Sequence, residues 1–290
     1  MRIANMAGRL ALDSAGRWVD VELASRGKFA ADPQAIFGQW DAFRNWAESN
    51  VSDSTKVQPA AAEGTLGPPA PTPRQVFAIG LNYRDHASET GFAQPKQPPI
   101  FTKFPSCIAG PEGNIVLPST TVDWEVELVA VLAREAHRVP EERAWEYIAG
   151  LTAGQDLSER TVQHAGPSPQ YSLGKSFSGF GPIGPHLVSP DALPNPDDLV
   201  LSTAVNGEQV QQGRTRDMIF SVAELVARLS AVCTLYPGDL IFTGTPSGVG
   251  AARNPQRFLA PGDELVSTIE GVGQMRHHCV AATGQSPEEG

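Results

Sequence analysis

The stretch Asp123-Trp124-Glu125-Val126-Glu127-Leu128 sets two carboxylates at the start of an apolar, β-branched run that continues to Leu132. Such a run reads as a buried strand. Strand side chains alternate faces, so Glu125 and Glu127 point the same way. On a helix they would lie on nearly opposite faces. Two carboxylates converging in apolar surroundings are unfavourable unless one is protonated or a cation lies between them. Taken in isolation, an E-x-E is better read as an edge strand with a solvated acidic face. The rest of the chain changes that weighting.

The 290 residues, 41% hydrophobic and 19% charged, describe an ordinary globular chain of one large domain or a large and a small one. A net charge of −10 with no basic block argues against nucleic acid or an anionic membrane as partner. Cys107, Cys233 and Cys279 are far apart in the sequence. They offer neither a metal-type pair nor a disulfide framework, which fits a reducing compartment. Met1 to Met6 lacks the apolar core of a signal peptide, and no apolar run is long enough to span a bilayer. The expectation is a soluble, cytoplasmic protein.

Residues 1 to about 58 read as a small separate unit. Arg9 to Val21 suggests strand, turn, strand. Pro33 to Asn50 carries Ile36, Phe37, Trp40, Phe43 and Trp46 at helical spacing, with Asp32 as a candidate N-cap. Pro59 to Pro73 is rich in Ala, Pro and Gly and reads as a linker. A strand, Gln75 to Gly80, then leads into Leu81-Asn82-Tyr83-Arg84-Asp85-His86-Ala87-Ser88-Glu89. On a helical turn His86 and Glu89 share a face. Such a pair can hold an imidazole tautomer or activate a water, though spacing alone fits an exposed surface pair better.

Prolines break residues 98–105 and 111–118 into loops and short edge strands. Pro140 opens a helix that Gly150 closes. An extended Leu151 to Gln155 delivers Asp156, and Ser158 reads as the N-cap of a turn carrying Arg160 and Gln163. Asp156 can be a ligand-binding carboxylate at a strand end or a capping Asp. Gly174 to Pro185 is Gly-rich and Pro-rich, which suits a long loop or a chain wrapping closely round a site. Asn206-Gly207 marks a hairpin, and Ser221-Val222-Ala223-Glu224 is a capping box. Gly244 to Gly250 is not a phosphate loop, because no Gly-Lys-Ser/Thr follows. His277 and His278 adjoin on a strand, so they face opposite ways and do not form a joint metal site. The fold expected from these elements is α+β and β-rich, with few helices and no βαβ alternation.

Several motifs stand in one order: Asn82-Tyr83 with Asp85-His86 and Glu89; Asp123-x-Glu125-x-Glu127-Leu128; Gln155-Asp156-x-Ser158-x-Arg160; Gly174-Lys175-Ser176-Phe177; Asp217 to Ser221; Pro237-Gly238-Asp239 through Thr243-Gly244-Thr245-Pro246-x-Gly248-Val249-Gly250; Ile269-Glu270-Gly271. Each is weak alone, and the ordered set is specific. Over roughly residues 74 to 280 the chain resembles the fumarylacetoacetate hydrolase family, in particular its short bacterial and mitochondrial members.

The resemblance implies a small N-terminal α/β unit with linker over 1–73. It implies a catalytic core over 74–282, a mixed β-sheet roll with few helices; the tail over 283–290 is expected to be frayed, as chain termini are. It further implies a homodimer and a divalent metal held by Glu125, Glu127 and Asp156. An all-oxygen, carboxylate-rich donor set suits Mg²⁺, with Mn²⁺ or Ca²⁺ as substitutes. His86 and Glu89 match the family's water-activating pair on a mobile lid. Lys175 matches a catalytic position beside the substrate oxygens, and Gln163 and Thr245 match substrate-binding positions. Lys103 matches a basic position for which the sequence supplies no role. The implied substrate is a small 2-oxo acid, and the implied reaction is hydrolysis of a carbon–carbon bond in a 2,4-dioxo acid. The same enolate chemistry would serve an isomerase of 2-hydroxyhepta-2,4-diene-1,7-dioate or an oxaloacetate decarboxylase. A non-catalytic metal-binding paralogue is a further alternative.

Overall fold

The structure is a computed structural model that describes residues 1–50, 66–89 and 93–282. Residues 51–65, which include the first part of the expected linker (59–65), residues 90–92 and the expected frayed tail (283–290) lie outside the described residues.

Among the described residues, eleven strands form one mixed sheet. Its main path runs Arg17–Asp20, Arg9–Ser14, Arg2–Met6, Gly181–Val188, Ile148–Gln155, Val126–Leu132, Leu240–Phe242, Val76–Ile79 and Ile100–Thr102. Leu66–Gly67 pairs with Arg2–Met6, and Ile108–Ala109 with Gly181–Val188. A second sheet of five strands is ordered Glu208–Arg214, Val200–Val205, Glu264–Ile269, Gly273–Ala281, Glu112–Leu117. Val200–Val205 and Glu208–Arg214 form the hairpin announced by Asn206-Gly207, both of which adopt positive φ. The fold is β-rich with few helices, as the sequence suggests.

Val126–Leu132 is paired on both sides and buried along its whole length. Its even positions, Val126, Leu128, Ala130 and Leu132, enter one core with Leu201, Ile269 and Met275 of the second sheet. Its odd positions Val129 and Val131 enter another with Phe37, Trp40 and Phe43. A continuous apolar run is what a strand covered on both faces requires. The Val222–Ser230 helix closes the first core with Val222, Leu225, Val226 and Leu229. Ser221 caps it, its hydroxyl accepting from the Glu224 N–H at 3.1 Å.

The N-terminal hairpin continues the large sheet: Arg2–Met6 pairs antiparallel with Gly181–Val188. The aromatic side chains of residues 33–50 cover the second face of that sheet. They reside on a 3₁₀ segment, Ala35–Gln39, and an α-helix, Trp40–Asn50. Asp32 does not cap this helix; its carboxylate accepts from the Gln34 N–H in a local turn.

Three other local readings are corrected. The segment after Pro140 is a 3₁₀ helix, Glu141–Tyr147, and Gly150 lies inside Ile148–Gln155. A Cβ at Gly150 would come within 2.8 Å of the Val188 carbonyl oxygen, so sheet packing explains the glycine. Ser158 is no N-cap: Ser158–Glu159 pairs with Val122–Asp123, and Glu159 caps the following turn through the Thr161 and Val162 N–H groups. Gly181–Val188 is a buried strand and not a loop. Pro185 falls at an irregularity in its pairing with Ile148–Gln155, where a missing donor is tolerated.

Gly154 lies opposite Glu127, and a Cβ there would sit 2.5 Å from Val129 Cγ2 and 2.8 Å from Phe242 Cε1. Gly154→Ala is expected to lower unfolding stability by about 1–3 kcal/mol in denaturant titration, since neither neighbour is free to move.

Candidate metal centre and active-site cavity

The carboxylates meet because of strand order. Val126–Leu132 and Ile148–Gln155 are antiparallel neighbours with Val126 opposite Gln155. The start of one therefore lies beside the end of the other, and Asp156 emerges next to Glu125 and Glu127. The Asp156 N–H donates to the Glu125 carbonyl at 2.9 Å. One ligand oxygen from each of Glu125, Glu127 and Asp156 lies within 4.8 Å of the others, and all three residues are buried.

Buried cations answer this charge. Lys175 Nζ donates to Glu125 Oε2 at 2.8 Å and to Asp156 Oδ2 at 2.7 Å. Lys103, fully buried, donates to Asp156 Oδ1 at 2.7 Å and to the Phe180 carbonyl at 3.2 Å, and also to the Lys175 carbonyl. It thus holds both Asp156 and the segment that carries Lys175. Arg160 Nη2 bridges Asp123 Oδ2 at 2.6 Å and Glu125 Oε1 at 2.8 Å, and Nη1 donates to Gln163 Oε1 at 3.1 Å. Asp123 also accepts the Gly250 and Ala251 N–H groups.

Burial pushes the Glu125 carboxyl up, but Lys175 and Arg160 outweigh it and hold it down at about 2. Burial would strip the Lys175 proton, yet Asp156 and Glu125 hold the ammonium above its ordinary range. Glu127 differs. Its carboxylate takes the Gly244 N–H at 2.8 Å, and desolvation with the nearby Asp156 and Glu125 raises it well above the usual carboxylate range. Asp123, Glu125, Glu127 and Asp156 face Lys103, Lys175 and Arg160, so one negative charge is in excess when all four carboxylates are ionised. An all-oxygen cluster with that excess has the donor chemistry of a hard divalent cation, and such a cation would let Glu127 ionise.

The acidic cluster opens into a cavity of about 440 Å³. His86 and Glu89 lie on its wall, carried by the helix Arg84–Glu89. His86 Nδ1 is 3.2 Å from Glu89 Oε2, and the Gly248 N–H donates to Glu89 at 3.0–3.1 Å. Asn82 ties this helix to the opposite loop: its amide donates to the carbonyls of Thr243 at 2.6 Å and Phe220 at 3.0 Å. Gln163 and Thr245 also line the cavity. Gln163 Nε2 is buried with no hydrogen-bond partner among the described residues. Thr245 Oγ1 donates to the Val126 carbonyl at 2.8 Å and accepts from Gln211 Nε2 at 2.9 Å, which commits its proton to the fold. The structure therefore brings His86, Glu89, Lys175, Glu125, Glu127, Asp156, Gln163 and Thr245 to one place. A more open groove of about 670 Å³, lined by Glu141, Glu142, Trp145 and Asp197, contains none of them.

Sequence reasoning assigned no role to Lys103, Arg160 or Asp123. Arg160 and Asp123 stand inside motifs already singled out, but their pairing joins residues 37 apart and leaves no local signature. Two supports are Gln155 and Gln211, whose side-chain oxygens accept the N–H groups of Glu125 and Val126; Gln155 stands in a motif without an assigned role, and Gln211 has no signal in the sequence.

A sequence model of the fumarylacetoacetate (FAA) hydrolase C-terminal family matches residues 75–280. The human mitochondrial oxaloacetate tautomerase FAHD2A is 43% identical over 214 residues, which span 73% of this chain and 68% of that protein. A crystal structure from Mycobacterium smegmatis, provisionally assigned as an HpcE protein, superposes with a TM-score of 0.93 at 55% identity. That match covers 97% of this chain and all 100% of the other. Maleylpyruvate hydrolase from Sphingobium sp. SYK-6, solved with manganese(II) and pyruvate, superposes with a TM-score of 0.80 at 26% identity over 98% of this chain and 100% of its own.

Two outcomes follow from the charge network. Lys103→Met leaves Asp156 short of a buried partner and is expected to cost about 3–5 kcal/mol of unfolding stability in denaturant titration. In chelator, wild type should lose stability as pH rises above 4.5, the ordinary value for Glu127. The unfolded chain then releases a proton that the folded chain keeps. Glu127→Gln removes that component, so its stability relative to wild type, read from melts in chelator, should rise between about pH 5 and pH 7.

Proposed function

The chain belongs to the fumarylacetoacetate hydrolase family, and from that premise we propose that it is a divalent-metal-dependent hydrolase that splits a carbon–carbon bond in a 2,4-dioxo acid. The observation that carries this reading is the His86–Glu89 pair on the same cavity wall as the cluster of Glu125, Glu127 and Asp156. In this reading those three carboxylates hold the cation, Mg²⁺ or Mn²⁺. Once bound, the cation supplies Lewis acidity toward the 2-keto group.

The chain's own residues supply the rest. Lys175, kept protonated by Asp156 and Glu125, sets a fixed positive charge beside the oxygens of the 2-oxo acid head. Gln163 Nε2 is a preformed donor for one of those oxygens. Glu89 accepts the Nδ1 proton of His86, which leaves Nε2 as the base for a water. That water attacks the C4 carbonyl, the C3–C4 bond breaks, and its electron pair passes to the pyruvate fragment. His86 then returns the proton at C3, giving one carboxylic acid and pyruvate. The Gly248 N–H fixes Glu89 for this role.

A second reading, keto–enol tautomerisation of oxaloacetate, is favoured by the 43% identity to the human oxaloacetate tautomerase. His86 would then move a proton between C3 and the keto oxygen, with no water consumed. Acetylpyruvate, fumarylpyruvate and oxaloacetate, each assayed with Mn²⁺, with Mg²⁺ and with chelator, separate the two readings. Hydrolysis indifferent to chelator would remove the metal-dependent mechanism.

Two measurements check the assigned roles. His86→Ala is expected to lower kcat for hydrolysis by about two to four decades, as loss of a general base does, while Mn²⁺ binding measured by calorimetry persists. Wild type should gain melting temperature on addition of Mn²⁺, because a ligand of the folded state stabilises it by mass action, and Glu127→Gln should not.

A further inference from the structure

The cavity wall changes character with distance from the acidic cluster. Lys175 Nζ lies 5.2 Å from the centroid of the Phe101 ring. Tyr171 packs on that ring with centroids 5.4 Å apart at 41°. Pro99, Pro169 and Val249 extend the same lining. An aromatic and apolar surface therefore begins one side chain away from the carboxylates.

The cations and the loop N–H groups near this surface are already committed, and Gln163 Nε2, at the inner end, is the donor left over among the described residues. Lys175 is shared between Glu125 and Asp156. Arg160 is divided among Asp123, Glu125 and Gln163. The N–H of Gly248 goes to Glu89, and those of Gly250 and Ala251 go to Asp123. Among the described residues of the wall, no Lys or Arg other than Lys175 and Arg160 is present; His164 is on the wall and is exposed. The segment from Ala87 to Gln97 carries a single Lys or Arg, Lys96, which is exposed and off the wall.

A second carboxylate at the far end of a substrate would lose water against Phe101, Tyr171 and the prolines with no countercharge prepared for it. An apolar end would gain from the same desolvation. We propose that this cavity takes a monocarboxylic 2-oxo acid whose acyl end is apolar or aromatic, seated on the Phe101–Tyr171 face. The inference rests on the 2-oxo acid reading above and deepens it by naming the class of the tail.

Turnover and binding test it separately. With Mn²⁺ present, kcat/KM for benzoylpyruvate is expected to exceed that for acetylpyruvate by about tenfold or more, the scale of burying one ring. It should also exceed that for fumarylpyruvate. In Tyr171→Ala the benzoylpyruvate-to-acetylpyruvate ratio should fall about tenfold. In His164→Arg the fumarylpyruvate-to-acetylpyruvate ratio should rise. For binding, phenylpyruvate should raise the melting temperature of the Mn²⁺-loaded protein more than 2-oxoglutarate at equal concentration. Tighter phenylpyruvate with no cleavage of any dioxo acid supports the tail assignment and removes the hydrolase reading. Cleavage with a preference for fumarylpyruvate and tighter 2-oxoglutarate overturns the tail assignment and keeps the hydrolase reading. Failure of both 2-oxo acids to bind overturns both.

Discussion

Asp123, Glu125, Glu127 and Asp156 share one desolvated region with Lys103, Lys175 and Arg160, and the structure around them is arranged to keep those charges matched. A buried ion that loses its partner is costly, whereas a matched set is tolerated. Each cation therefore fixes more than one element. Lys103 joins the edge strand Ile100–Thr102 to Asp156 and to the carbonyls that position Lys175. Arg160 joins the chain before Val126–Leu132 to the turn after Asp156. Glu127 alone has no cation within bonding reach among these residues, and its carboxyl is the one driven upward.

Packing explains why the site lies where it does. Val126–Leu132 is covered on both faces, so nearly every side chain along it must be apolar. Polar groups can enter only at its first residues, where the sheet stops and backbone groups become free. Side-chain amides fill those openings: Gln155 and Gln211 accept the N–H groups of Glu125 and Val126 that no strand satisfies. The opposite wall is built likewise. Leu81 adopts a positive φ, which turns the chain out of Val76–Ile79 and sends Asn82 inward. Asn82 and the Glu89–Gly248 contact then couple the His86 helix to the loop after Leu240–Phe242. Movement of that helix would break contacts on both walls together.

This saturation also bears on selectivity. Where charged groups satisfy one another, few remain to recognise a ligand, and the unsatisfied Gln163 amide and the aromatic faces are what the cavity offers. At the inner end the cavity is polar. Discrimination at the outer end falls to shape and apolar contact.

The sequence by itself determined the core strand, the shared face of Glu125 and Glu127, the Asp156 strand end, the Ser221 cap and the Asn206-Gly207 hairpin. Each follows from periodicity or from chemistry within a few residues, and the ordered motifs added the family. Tertiary structure decided the rest. Only tertiary pairing made residues 2–20 strands of the large sheet and laid the aromatics of the following helical segment on its second face, because apolar spacing shows that a face is buried and not what buries it. Only strand neighbours explain Gly150 and the strand Gly181–Val188, whose glycines and prolines read locally as turn and loop. Lys103 is the clearest case. It shows no pattern in the chain, yet its ammonium reaches Asp156 across 53 residues. A charge's partner is set by distance in space, and that distance exists only once the sheet has formed.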